Sequence, residues 1–146
     1  MQRIDEELQR SDDLGSELSL LMITVDRSDE IMQRFGIDGF ERIMLTLAKA
    51  IKTGVRQYDV VGRFDTDRFA VLLVNTAANE AYLWAEKIRK TIAGVVISLE
   101  GKSFSMTISI GLSGAGEGMK KEELVGNSVA VLNTASQTGG NVVRVF

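Results

Sequence analysis

The chain has 146 residues and a mass of 16.0 kDa, the size of one globular domain, and 45% of its residues are hydrophobic, enough to form a core. It contains neither Cys nor His, which excludes disulfides, thiolate zinc sites and catalysis by a His base or a Cys nucleophile. The groups that remain for catalysis are carboxylates, Lys, Arg, Tyr, hydroxyls and Mg²⁺ bound by carboxylates. The net charge of −3 disfavours sequence-independent binding of nucleic acid.

The first part of the chain predicts a helix end, a buried strand and an amphipathic helix. Residues 3–13 are polar with a thin apolar thread, which indicates the end of a helix or a linker. Leu18–Val25 is a mostly apolar run too short for a typical helix and therefore predicts a buried strand. Between Asp38 and Val55 apolar residues recur every three or four positions, which predicts a helix that ends at Gly54. If the helix begins before Asp38, we expect a break at Gly36.

Two pairs of strand-like segments predict two hairpins. Val60–Phe64 and Phe69–Val74 are largely apolar and are joined by a short polar connection suited to a turn. Val95–Leu99 and Phe104–Leu112 form a second pair around a glycine-containing connection. Because hairpin strands are antiparallel, we expect a sheet that is mostly antiparallel.

Two further helices and a closing strand complete the pattern. Asn79–Ala93 has helical apolar spacing, and so has Leu124–Ala135 before a Gly-Gly stop. The last residues, VVRVF, predict a strand. The economical fold for this order is α+β, with one central mixed sheet flanked by helices.

Several segments, in one order and at near-family spacing, resemble the GGDEF domain family of diguanylate cyclases, which condense two GTP molecules into cyclic di-GMP. Leu18–Gln33 resembles the family's LSLLLIDIDHFKxIND, and Phe35–Met44 resembles YGHxxGDxxL. The signature hairpin RYGGDEF falls on Arg63–Phe69. Ser109–Gly111 matches SIG, and Ser128–Val143 resembles ADxALYxAKxxGxNxV.

The resemblance implies the palm-like fold of nucleotidyl cyclases for residues 17–146, with residues 1–16 as an N-terminal helix or linker segment. The family's start signature, DxLTGLxNR, is missing, so we expect the chain to be part of a longer protein with other domains. No apolar run is as long as a membrane span and the N-terminus is charged, so we expect a cytoplasmic domain without membrane contact.

The family's two-metal chemistry requires carboxylate ligands, and the resemblance implies that this chain has lost one of them. The first ligand position is Thr24, which supplies no charge, whereas Asp67 keeps the ligand position in the hairpin. Asp26, two residues after Thr24, leaves room for some metal affinity. The phosphate-contacting Lys of the family corresponds to Ser136.

The hairpin and the guanine-binding positions also differ from the family pattern. The two glycines that let a phosphate approach the backbone are Asp65 and Thr66, and the Glu after the metal ligand is Arg68. The base-binding Asn is Met32, and its Asp partner is Glu41. We therefore expect a domain that is not a diguanylate cyclase and holds no metal or other cofactor, although acidic turn residues are also common without any function.

An RxxD motif lies just before the signature hairpin, where the family has an inhibitory product site. Arg56 and Asp59 occupy it, and the third Arg of the family site corresponds to Lys87, with Arg89 and Lys90 close by. Arg can donate to guanine O6 and N7, and a carboxylate can accept from guanine N1–H and the amine. The simpler interpretation is a surface ion pair that closes a helix, worth under about 1 kcal/mol.

The leading hypothesis is a catalytically inactive receptor for cyclic di-GMP that signals to other domains or partners. A homodimer bridged by the ligand is one form that this receptor can take. Two alternatives stay open. One is a structural or dimerisation domain that binds no nucleotide. The other is a GTP-binding domain that regulates an adjacent phosphodiesterase.

Overall fold

The structure, a computed structural model, describes residues 3–146, and none of the helices in that range has the length and apolar character needed to cross a bilayer. The helices are α1 (Arg3–Leu14), α2 (Ser28–Gly54), α3 (Ala78–Ala93) and α4 (Lys121–Gln137). The strands are β1 (Leu18–Val25), β2 (Val60–Asp65), β3 (Arg68–Val74), β4 (Val96–Leu99), β5 (Lys102–Ser105), β6 (Ile108–Gly114) and β7 (Val143–Val145).

The central sheet is mixed and mostly antiparallel, which confirms the predicted fold class. Its strand order is β2-β3-β1-β6-β7, with β4 and β5 forming a separate two-stranded sheet. Strand β1 pairs antiparallel with β3 and β6, and only the β6–β7 pair is parallel. The hairpin of β2 and β3 therefore lies at one edge of the sheet, beside the end of the central strand.

Strand β1 separates two hydrophobic cores, which explains its almost continuous apolar sequence. Leu21, Ile23 and Val25 pack on the face covered by α2 and α3. Leu18, Leu20 and Met22 point to the other face, covered by α1 and α4. Because alternate side chains point to opposite faces and helices cover both, every position of the strand favours an apolar residue.

Segment 3–13 is helical, in agreement with the prediction of a helix end, and it packs on the domain. Ile4 and Leu8 of α1 are buried in the second core together with residues of β1 and α4. Their burial removes the apolar thread of α1 from water, which stabilises its docked position.

Two predicted elements differ in extent. Helix α2 begins at Ser28 rather than near Asp38, and Gly36 has φ 72° and ψ −180°, so the predicted break lies inside the element. The single predicted strand Phe104–Leu112 is wrong, because it is divided into β5, which pairs with β4, and β6, which pairs with β1. Between them Met106 is buried and Thr107 accepts a hydrogen bond from the amide of Asp26, which anchors the chain where it changes sheets.

Candidate functional site

An ion pair occupies the turn of the β2–β3 hairpin. The strand register shifts between Arg63 and Asp65, which places Asp65 opposite Arg68. Arg68 Nε donates to Asp65 Oδ2 at 2.8 Å, and Arg68 Nη2 donates to the same oxygen. These bonds lower the pKa of Asp65 below its ordinary value, so the carboxylate stays ionised. An ion pair between the side chains of Asp65 and Arg68 therefore closes this turn.

A second ion pair joins the hairpin to α2. Arg63 Nη1 and Nη2 donate to the two carboxylate oxygens of Glu41 at 2.6 and 2.7 Å, and the bonds lower the pKa of Glu41. Arg63 also donates to the main-chain oxygens of Asp65 and Thr66. Glu41, the residue predicted at a base-binding position, is thus engaged by the hairpin of its own chain.

The structure brings Thr24 and Asp67 together, as their predicted positions require. Thr24 Oγ1 donates to the main-chain oxygen of Asp67 at 3.2 Å. Ser28 Oγ donates to Asp67 Oδ2 at 3.3 Å. Met32, half-buried, packs against the first core and has no group that can hydrogen-bond a base edge.

A cavity of about 480 Å³ lies beside this pair and contains one carboxylate. It is lined by Thr24, Asp67, Arg68, Val129, Leu132, Asn133 and Ser136. Among residues 3–146, no three acidic side chains converge in a way that can hold a metal ion. Asp67 is therefore the single anionic ligand that this cavity offers to a cation, next to the positive charge of Arg68.

Asp26 does not supplement Asp67. Its carboxylate accepts hydrogen bonds from Thr107 Oγ1 at 2.6 Å, Ser109 Oγ at 2.7 Å and the amide of Asn141 at 2.7 Å. Gly140 lies so close that an added Cβ would meet the carboxylate at 2.6 Å. Asp26 thus ties β1 to β6 and to the α4–β7 connection and does not line the cavity beside Asp67, and metal affinity from Asp26 stays a prediction.

The RxxD residues form an ion pair in the turn that follows α2, which is the contact that the simpler interpretation of the motif predicts. Asp59 Oδ2 accepts from the amide of Arg56 at 2.9 Å and from Arg56 Nε at 3.3 Å, while Oδ1 accepts from the amide of Val74 at 3.0 Å. Arg56 Nη2 donates to the main-chain oxygen of Val74 at 2.8 Å and to Thr76. The Asp59 side chain is 1% exposed and that of Arg56 is 47% exposed. Asp59 therefore holds the arginine, and the arginine faces solvent.

Arg56 opens onto a cleft of about 370 Å³ that we call the cation cleft. It is lined by Arg3, Lys52, Val55, Arg56, Gln57, Asp59, Val60 and Val61. Lys52 has no carboxylate partner in the part of the chain that the structure describes, whereas Arg3 contacts Glu6 and Glu7. Lys52 was not among the predicted site residues, although its place four residues before Arg56 near a helix end was a usable signal. Arg3 comes from a distant segment and gave no such signal.

Lys87 does not line the cation cleft. It is exposed on α3, one turn after Trp84, whose indole Nε1 donates to the main-chain oxygen of Gly54 at 2.8 Å near the end of α2. Its neighbour Arg89 is bound to Glu86 at 2.9 and 3.0 Å and to Asn141 at 2.8 Å. Arg89 is therefore not available to replace a missing cation at this cleft.

Residues 1–142 match the family model described as diguanylate cyclase, GGDEF domain. The chain is 33% identical over 129 residues to diguanylate cyclase A of Treponema denticola, covering 88% of this chain and 35% of that protein. It is 28% identical over 133 residues to the cyclic di-GMP phosphodiesterase NbdA of Pseudomonas aeruginosa, covering 90% of this chain and 17% of that protein. The chain thus spans about a third or less of these relatives.

Solved structures have the same fold. The diguanylate cyclase SiaD of Pseudomonas aeruginosa, in complex with its activator SiaC, superposes with a TM-score of 0.94 at 26% identity, covering 99% of this chain and 56% of that chain. The GGDEF domain of DgcB from Caulobacter crescentus, in complex with c-di-GMP, gives a TM-score of 0.94 at 16% identity, covering 99% and 86%. The latter likeness concerns the fold.

Proposed function

This chain belongs to the GGDEF domain family, and from that premise we propose that it binds cyclic di-GMP at the cation cleft and does not synthesise it. The relatives and fold neighbours include cyclases, a phosphodiesterase and a domain in complex with c-di-GMP. The proposal for this chain rests on its own residues at the two sites that such a domain can use.

The observation that carries the proposal is the fixed position of Arg56. Four groups of the same chain hold it, namely the Asp59 carboxylate, the Val74 carbonyl, the Thr76 hydroxyl and the Tyr58 ring 4.8 Å from its Cζ atom. Within residues 3–146, Nη1 has no acceptor. A guanidinium fixed in this way has already lost most of its side-chain entropy, so a ligand that accepts from Nη1 binds at less cost.

The charge of the cation cleft fits a ligand with two phosphates. Arg56 and Lys52 are exposed cations, and Arg3 adds a third that is shared with carboxylates of α1. The Asp59 carboxylate is buried against the Val74 amide and does not face the ligand as a free anion. We therefore assign Arg56 to contact the guanine or a phosphate and Lys52 to contact a phosphate. Asp59 positions Arg56, and Lys87 on α3 attracts the anionic ligand over a longer distance.

The proposal that the chain is not a cyclase rests on the contacts of the hairpin. Catalysis on GTP needs anionic ligands for metal and a free path for the triphosphate. Thr24 supplies a hydroxyl, and Asp65 and Arg68 pair across the turn. Glu41 is bound to Arg63. The carboxylate at the base-binding position is thus engaged by the chain itself, an ion pair fills the turn, and Asp67 is left as the one carboxylate of this cavity for a metal ion.

Titration calorimetry with cyclic di-GMP tests the binding proposal. We expect a dissociation constant of about 1 µM or below, weakened at least about tenfold by Arg56→Ala and severalfold by Lys52→Ala. Arg42→Ala, which removes an exposed arginine on α2 outside the cleft, is the matched control and should leave binding unchanged. Absence of binding at about 0.5 mM ligand, or equal loss in the control, contradicts the proposal.

Incubation with GTP and Mg²⁺ or Mn²⁺ tests the other half of the proposal. We expect no cyclic di-GMP above that of a buffer control after a long incubation, followed by chromatography. Steady product formation that is proportional to protein concentration would show a cyclase and overturn the assignment of the hairpin.

One observation favours a second candidate, a structural domain that binds no nucleotide. Asp59 is 1% exposed and its oxygens already accept three hydrogen bonds, so Arg56 and Asp59 also serve as a clasp between α2 and β3. This candidate predicts that Arg56→Ala lowers the stability of the domain and that no cyclic di-GMP binds to the wild type. Calorimetry on the folded wild type separates the two candidates.

A further inference from the structure

A second cleft lies between the first half of α2 and the β4–β5 hairpin, and we call it the hairpin cleft. Its volume is about 420 Å³, within the range of small-molecule sites. It shares no lining residue with the cation cleft or with the cavity beside Asp67. Any ligand here is therefore additional to the one proposed above.

The floor of the hairpin cleft is aromatic and apolar. The rings of Phe35 and Phe104 stack with centroids 4.8 Å apart and an interplanar angle of 28°. The buried side chain of Met106 lies beside them, and Ile31 completes the apolar lining. Planar rings bind on such surfaces through stacking and through contacts with sulfur. These contacts depend little on the identity of the ring.

Two arginines stand on the α2 wall of the cleft. Arg27 immediately precedes α2 with a left-handed backbone (φ 57°, ψ 38°), Arg34 lies within α2, and both line the cleft. Both are exposed, and neither has an ion-pair partner within residues 3–146. Arg34 Cζ lies 5.1 Å from the centre of the Phe35 ring, which is a cation–π contact with the aromatic floor.

Two carboxylates, Asp26 and Glu30, line the cleft beside Arg27 and Arg34, so these four charges sum to zero and any attraction for an anion is local to the arginines. Asp26 is engaged by Thr107, Ser109 and Asn141 through three hydrogen bonds of 2.6–2.7 Å. Glu30 is exposed on the same wall and forms no ion pair with residues 3–146. Because the Asp26 carboxylate is held by Thr107, Ser109 and Asn141, the exposed guanidinium of Arg27 can still donate to an anion at this cleft.

We propose that the hairpin cleft binds a small anion that carries a planar ring, the chemistry of a nucleoside monophosphate. The ring lies on Phe104 and Met106 beneath the Arg34 guanidinium, and the phosphate accepts from Arg27. Asn141 also lines the cleft, and because its side-chain oxygen accepts from Arg89 at 2.8 Å, its side-chain nitrogen remains as a donor. The site needs no base-edge recognition, so purine and pyrimidine rings both fit.

Titration of the ¹⁵N-labelled chain with AMP tests the proposal, because AMP has no guanine edge for the positions at Met32 and Glu41. We expect saturable shifts of amide signals around Arg34, Phe104 and Ser105. Adenosine and inorganic phosphate, each lacking one half of the ligand, should bind at least about tenfold more weakly. Binding should also weaken as salt concentration rises.

Matched variants complete the test. Arg34→Gln and Phe104→Ala should each weaken AMP binding about tenfold, whereas Arg42→Gln, on the same helix but outside the cleft, should not. Arg56→Ala should leave AMP binding unchanged, which separates this site from the cation cleft. Absence of shifts at about millimolar AMP overturns the proposal, as do shifts confined to residues 65–68 or binding that is insensitive to Arg34→Gln.

Discussion

Replacement of Asp59 by Ala removes a buried carboxylate that joins α2 to β3. In the folded chain this carboxylate accepts from the amides of Arg56 and Val74 at 2.9 and 3.0 Å and from Arg56 Nε at 3.3 Å. The variant loses all three bonds and leaves the Val74 amide partly buried without its acceptor. Asp59→Asn keeps one carbonyl oxygen and therefore keeps part of the clasp.

The magnitude follows from these contacts. Hydrogen bonds to a charged group contribute about 1.5 kcal/mol or more each when buried, but the half-exposed ion pair with Arg56 contributes under about 1 kcal/mol. Water can reach the Arg56 amide in the variant, which discounts that bond further. We therefore expect Asp59→Ala to lower the free energy of unfolding by about 2–3 kcal/mol and Asp59→Asn by about 1 kcal/mol.

Urea unfolding followed by tryptophan fluorescence measures this effect. Trp84 is the one tryptophan of the chain, and its indole donates to Gly54 O at 2.8 Å, two residues before Arg56. Asp38→Ala, an exposed acid of α2, is the control and should change stability by less than about 0.5 kcal/mol. If Asp59→Ala is as stable as that control, Asp59 does not stabilise the contact between α2 and β3. The Asp59 carboxylate of the wild type is then free to contact a ligand.

Two further predictions concern packing and pH. Gly111→Ala should lower the free energy of unfolding by about 3 kcal/mol or more, since its Cβ would meet Ser128 O at 2.2 Å, whereas Gly126→Ala, in open space on α4, should be neutral or stabilising. The bond from Arg63 lowers the pKa of Glu41 from its ordinary 4.5, so the stability from this pair is present above about pH 4.5 and lost as pH falls through the lower, folded value. Unfolding of wild type and Glu41→Gln between about pH 6 and pH 3 should therefore show a steeper acid loss in the wild type, and parallel curves would contradict the assignment.

Much of the fold could be predicted from local sequence patterns. The apolar run Leu18–Val25 and the three-to-four spacing from Asp38 to Val55 depend on side chains only a few residues apart, so a linear sequence displays them. The division of Phe104–Leu112 into two strands was not predictable in this way. It depends on β5 pairing with β4 and on β6 pairing with β1, more than eighty residues away.

The candidate site shows the same limit. The simpler interpretation of the RxxD motif correctly predicted an ion pair between Arg56 and Asp59 at the end of a helix. The burial of Asp59 depends on its contact with the Val74 amide, and Arg3, the third cation of the cation cleft, comes from α1. Each of these contacts joins segments that are distant in the sequence. Residue identity gives the charges at a site, but their partners depend on strand register and helix docking.

The sequence alone determined the chemistry that this chain lacks. Because the chain has no His and no Cys, no tertiary arrangement can give it an imidazole or thiolate ligand or nucleophile. Only the tertiary structure decided how the remaining charges are used. In the folded chain Arg63 pairs with Glu41, and Asp26 accepts a hydrogen bond from Ser109 of β6. Arg56 faces solvent. The physical reason is that a side chain's type is fixed by the sequence, whereas its hydrogen-bond partners and its exposure to water are fixed by the packing of segments far apart in the chain.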